Sequence, residues 1–187
     1  RITAFLVTWA YEKYWIADAL EQILAAHLPE GTARATLLRT PEERTIRESV
    51  VANIIGVPMI AVHMTLGTVD EWLTQAAYSR VAELEPHPQL VATLDEFRRV
   101  KRRQLDFFEA QSRFRLDESP RARRLTRRRL ARTPWPIGAK AEPAAETHFF
   151  FDHLFAPAPE LIAELDARVD TLPGQAGLGL IAKAARS

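Results

Sequence analysis

Four polar or charged residues fall on the apolar stripes of three predicted helices, and that placement constrains the interior of this chain more than any other feature. In the first helix Phe5, Thr8, Glu12, Trp15, Ala19 and Ile23 follow three- and four-residue steps, which put side chains on one face. Ile60, Met64, Gly67, Glu71, Thr74, Tyr78 and Val81 do the same further on. Leu94, Phe97, Lys101, Gln104, Phe108 and Gln111 form a third stripe. Buried charge is costly unless it is paired or bound to a metal. Helices that aim Glu12, Glu71, Lys101 and Gln104 inward therefore predict a site built in a helical core. The alternative is that these residues sit at stripe edges and reach water, in keeping with the rarity of buried charge.

The helices are punctuated clearly. A periodic segment from Ile2 to about Leu28 ends at Pro29-Glu30-Gly31. Thr40-Pro41-Glu42-Glu43 supplies an N-cap, a proline at the first helical position and acids in the first turn. A helical pattern continues to Glu83, with Gly56 and Pro58 marking a break or kink. His87-Pro88 starts a helix running to about Leu116, and Ser119-Pro120 another that ends near Thr133-Pro134. Trp135-Pro136-Ile137-Gly138 is a turn-rich connector, His148 to Phe155 a short apolar segment, and Pro159 to Thr171 a further helix. No strand alternation or repeat interrupts this pattern, so the fold class is all-α. With 187 residues, 47% apolar content and only 7 Gly, the chain has the means to build a substantial core.

Composition removes several chemistries. Without Cys there are no disulfides, thiolate ligands or Cys nucleophiles, and the chain is compatible with a cytoplasmic location. No apolar run reaches the length of a membrane span, and the start lacks the order of a signal peptide. The chain opens without Met, directly in helix-like sequence, so native residues ahead of it are expected. No Gly-rich phosphate loop, His-Glu-x-x-His or Gly-x-Ser-x-Gly is present. The five His, at 27, 63, 87, 148 and 153, are scattered, with His87 expected as a cap.

Thr8-Trp9-Ala10-Tyr11-Glu12-Lys13-Tyr14-Trp15, with Ala17-Asp18-Ala19-Leu20, resembles the second ligand helix of ferritin-like diiron proteins, the acyl-carrier-protein desaturases above all. Thr65 to Trp72 and Thr74 to Tyr78 resemble the helix that supplies a single Glu. His87-Pro88, Lys101-Arg102-Arg103-Gln104 and Phe107-Phe108 are similar to the last ligand helix. The likeness spans roughly residues 5 to 138 and extends to small actinobacterial-type ferritin-like proteins whose bundle ends in a Trp-Pro-Val-Gly-like turn. It implies a ferritin-like four-helix bundle with a metal site in its core.

In such a site a Glu from each of two helices and a Glu-x-x-His from each of the other two surround two metals. Transferred onto this chain, Glu12 and Glu71 occupy carboxylate positions, Trp15 and Gln104 stand where His belongs, and Lys101 stands where Glu belongs. The remaining Glu would precede residue 1. Trp cannot ligate a metal and a protonated Lys is a poor ligand, so the expected state is a lapsed diiron site with no metal or other cofactor. Lys101 is expected to lie between Glu12 and Glu71 and to take the cation's place. Some ribonucleotide reductase small subunits of that superfamily replace a ligand Glu with Lys and use a modified Tyr, which draws attention to Tyr78, on the core stripe. A core Tyr with its hydroxyl satisfied is the commoner case.

A second feature is basic. Residues 119 to 132 carry Arg121, Arg123, Arg124, Arg127, Arg128, Arg129 and Arg132 with no acid, and Arg98, Arg99, Arg102 and Arg103 lie upstream. The near-balanced net charge of +1 favours arginines paired with acids on neighbouring helices. As a binding face, Arg121, Arg124 and Arg128 would suit an acidic protein partner, in line with the desaturase resemblance. Nucleic acid ranks behind it, because no recognised motif is present and few aromatics interleave.

These readings combine into a bundle over residues 1–138 and a helical C-terminal extension over 139–187, packed on it or on a second copy through Phe149, Phe150, Phe151, Leu154 and Phe155. The leading expectation is a non-catalytic, metal-free member of the superfamily that binds an apolar ligand or a partner protein, with Trp9, Trp15, Phe97 and Phe108 lining the space near the lost site. Homodimers are common in that superfamily, which makes a second copy a further candidate. The alternatives are a diiron or single-metal oxidoreductase of the fatty-acyl desaturase type, with iron as its cofactor, and an Arg-face binding module for an acidic partner or nucleic acid.

Overall fold

Four helices carry proline in their first turn, because proline's fixed φ suits that turn and its missing N–H is not needed there. Pro58, Pro88, Pro120 and Pro159 hold these positions in a computed structural model that describes residues 2–27, 56–141 and 143–186. The helices are α1 (Ile2–His27), α2 (Val57–Leu84), α3 (Pro88–Glu118), α4 (Pro120–Leu130), α5 (Ala144–Leu154), α6 (Pro159–Asp170) and α7 (Leu180–Ala184), with a 3-10 turn at Ala139–Ala141. No strand occurs among the described residues, so the described chain is all-α. Gly56 caps α2 at φ 68, a conformation that favours glycine. The Gly56–Pro58 break is therefore the start of a helix. The expected N-cap at Thr40-Pro41 lies outside the described residues.

The chain divides into two compact units, residues 1–48 and 49–187. In the first, α1 exposes Thr8 and Trp15, both expected on its core stripe, and Trp15 is 52% exposed. Its ring meets Tyr11 and Tyr14 edge-on, with centroids at 6.0 and 5.9 Å. The expectation that Trp15 lines an interior space is thus corrected. The less exposed positions include Phe5, Trp9, Glu12, Ile16 and Ile23, equally three- and four-residue steps. A helix with aromatics on several sides offers more than one stripe of this period.

The second unit is organised around α2. That helix touches α3, α4, α5 and α6, and side chains are buried almost continuously from Ala61 to Leu73. A helix apolar on many sides belongs in an interior. The three-residue link 85–87 returns the chain as α3, antiparallel to α2, and partners descend one helix as they climb the other: Gln75 with Arg98, Glu71 with Lys101, Thr68 with Ser112. Gly67 lets the α3 ring of Phe108 sit against the α2 backbone; a Cβ there would lie 2.6 Å from it.

Ser119 closes α3 and opens α4, its side chain accepting from the Ala122 amide at 3.2 Å. Ala122, Thr126 and Leu130 turn inward at four-residue steps. Residues 139–187 join the same core: Phe151, Leu154, Phe155, Leu165, Leu172 and Ile181 cluster with Val69, Trp72 and Leu116. The Phe expectations separate here, since Phe151 and Phe155 are buried and Phe150 packs beside them, whereas Phe149 is 63% exposed. Arg80 donates to the Leu154 carbonyl at 2.9 Å, and Arg113 to the Thr171 carbonyl at 2.9 Å, fastening α5 and the end of α6 to the hairpin.

Candidate functional site

Lys101 and Glu71 face each other across the α2–α3 contact. Both lie on the stripes that the sequence predicts, and the antiparallel register brings them to the same level. The Lys101 ammonium donates to Glu71 Oε1 at 2.7 Å and to Oε2 at 2.6 Å. Lys101 is 2% exposed and Glu71 1%. Two charges so far from water are tolerable because each is the other's counter-ion. Gln104, one turn along α3, is buried as expected.

The surroundings are mixed. Phe97 and Phe108 flank Lys101 along α3 and are both buried, as expected for residues near the site. The Tyr78 ring packs on Phe97, with centroids 6.0 Å apart. Burial, reinforced by the negative charges of Glu71 and Asp70, pushes the Tyr78 phenol up to about 12. It therefore stays protonated at neutral pH. Beyond Phe108, the buried Thr68 and Ser112 hydroxyls lie 2.8 Å apart, each also within reach of a carbonyl one turn back on its own helix, so their two protons serve two of these three contacts at a time.

Sequence reasoning did not single out Asp70, Thr68 or Ser112. Ser112, rather than the predicted Gln111, continues the buried line of α3. The signal available was a four-residue step after Phe108 in place of a three-residue one. Asp70 is buried because α2 is enclosed on more sides than one stripe requires.

Glu12 and Trp9 belong to α1, in the first unit, so the expectation that Lys101 takes Glu12 as well as Glu71 rests on the sequence. The donors described around Lys101 are not those of a two-metal carboxylate centre. Among the described residues no group of three or more His, Cys, Asp or Glu could hold a metal ion. Both Glu71 oxygens already accept from an ammonium, and a carboxylate so engaged has less to offer a cation. His63, His148 and His153 are exposed, and His153 stacks on Phe149 at 5.1 Å. His87 caps α3 by backbone position, without a side-chain hydrogen bond to the helix.

Arg123 and Arg127 of the arginine helix bond backbone carbonyls in place of the expected acids. Arg123 donates to the Leu116 and Asp117 carbonyls, each at 2.6 Å, and so closes the end of α3. Arg127 reaches the Ala176 carbonyl at 2.8 Å. Arg121, Arg124 and Arg128 are exposed, opposite the buried Ala122–Thr126–Leu130 line, and form no ion pair among the described residues. Upstream, Arg98 and Arg99 do pair with acids, Asp95 and Glu96, within α3.

Fold and centre together define a protein whose described residues form helices and no strand, and whose second unit carries a buried ammonium–carboxylate pair. The chain matches no family model, no curated protein and no solved structure. No described helix is long and apolar enough to cross a membrane.

Proposed function

We propose that this chain is a ferritin-like bundle in which a lysine has replaced the metal, and that it acts by binding an apolar ligand or a partner protein rather than by oxygen chemistry. The observation that carries this reading is the Lys101–Glu71 pair, with both carboxylate oxygens taken by one ammonium. A fixed positive charge at the position of a metal ligand neutralises the carboxylate and repels a cation. Elemental analysis of protein purified without chelators, before and after anaerobic iron loading, tests it. The expected result is no stoichiometric metal. Iron or manganese near about two per chain, the content of a carboxylate di-metal site, would sink this reading and restore the desaturase-type oxidoreductase.

The exposed Arg121, Arg124 and Arg128 favour a second reading, in which α4 docks an acidic protein. Their one-sided placement concentrates positive potential on the solvent face of one helix. Binding to an acyl carrier protein at low salt is expected, and to be lost on Arg124→Glu with Arg128→Glu. Binding that survives this charge reversal would remove α4 as the docking face.

A further inference from the structure

A cleft of about 340 Å³ lies away from the ion pair, between the end of α4, the 133–140 connector, α5 and α7. This size is at the lower end of the roughly 300–1,000 Å³ typical of small-molecule sites. Its apolar wall includes Leu130, Pro134, Trp135 and Leu180. Its polar lining includes Lys140, Lys183, His148 and Thr147, and among the described residues neither Asp nor Glu. The Lys183 ammonium is held in place by the Leu178 carbonyl at 2.6 Å. Lys140, on the 3-10 turn, is exposed and forms no ion pair among the described residues. Trp135 is 3% exposed, and its buried indole N–H finds no acceptor among the described residues.

We propose that this cleft binds a small carboxylate with an apolar body, seated on Leu130, Trp135 and Leu180 with its anionic head toward Lys140 and Lys183. The two lysines select the head, and the apolar wall selects the tail. The volume suits a free small molecule rather than a peptide helix. This assignment does not rest on the ion-pair reading and stands or falls separately from it.

Calorimetric titration of the full chain with octanoate, and with octanol as its uncharged counterpart, tests the proposal. Saturable binding of octanoate is expected, with octanol weaker by about tenfold, the scale of a charge-assisted hydrogen bond. Lys140→Glu should weaken octanoate by about tenfold or more and leave octanol unchanged, since an exposed side chain is altered. Ala184→Phe, which fills the cleft, should abolish both, with circular dichroism confirming that each variant keeps its helices. Equal affinity for the two probes, octanoate binding indifferent to both variants, or no saturable binding up to about 10 mM would each overturn it.

Discussion

Lys101 donates to both carboxylate oxygens of Glu71 across the α2–α3 contact, and both side chains are shut off from water. The pair joins residues thirty positions apart in sequence, so it forms only when the hairpin closes. It helps to set the register of α2 on α3, because sliding either helix by one turn would leave two buried charges unmatched.

Lys101→Ala should therefore cost about 3–5 kcal/mol, the usual penalty for leaving one buried charge without its partner. Urea unfolding measures it. A loss below about 1 kcal/mol, the range of an exposed pair, would mean that the charges are not shut in. Lys101→Met combined with Glu71→Leu should recover most of the loss, since apolar replacement of a buried pair is often neutral or better.

Gly67→Ala is expected to destabilise, against helix propensity. Alanine gains about 1 kcal/mol over glycine in a helix interior. Here its methyl would meet the Phe108 ring at 2.6 to 2.9 Å, and that ring is buried on α3 with little room to retreat. Overpacking of this kind costs about 1–3 kcal/mol. A thermal melt that rises on substitution would show that the ring gives way.

Tyr78 makes stability fall in alkali. Its folded value, about 12, is raised above the ordinary 10.0, chiefly by burial. The unfolded chain therefore releases the phenolic proton first. The contribution is whole below pH 10, and declines between pH 10 and 12 by up to about 1.4 kcal/mol per pH unit. Tyr78→Phe should flatten that part of the curve relative to the parent. Parallel curves for the two proteins would contradict the burial of the phenol.

Asp166 accepts from the first amides of α7, Ile181 and Ala182, each at 3.0 Å. A helix of 5 residues has little stability of its own and depends on such a cap. Asp166→Ala should cost about 1–2 kcal/mol, the usual loss for a removed cap, with Asp166→Asn recovering part of it. Hydrogen exchange at Ile181 and Ala182 should quicken in Asp166→Ala; unchanged protection there would show that α7 is held by packing alone.

Much of the secondary structure was open to inspection in the chain. Prolines at 88, 120 and 159 stand at the expected helix starts for reasons local to the backbone, whereas Pro58, expected at a break or kink, sits in the first turn of α2. Glu71, Lys101 and Gln104 could be placed inward from helical period alone, since that period fixes which residues share a face. Trp15 could not, because α1 offers several stripes of the same period and its Trp faces solvent. Nor could the burial of Asp70, which depends on how many neighbours α2 collects.

The sequence by itself determined that the described chain is helical, where most of its helices begin, and which charges would be costly if enclosed. Those properties arise within a few residues, from backbone sterics and period. The tertiary structure decided that Lys101 meets Glu71, that Arg123 and Arg127 serve backbone carbonyls while Arg124 and Arg128 face solvent, and that Lys140, Trp135 and Lys183 border one cleft. Each of those outcomes joins segments distant in the chain, and only packing settles which distant segments share a surface.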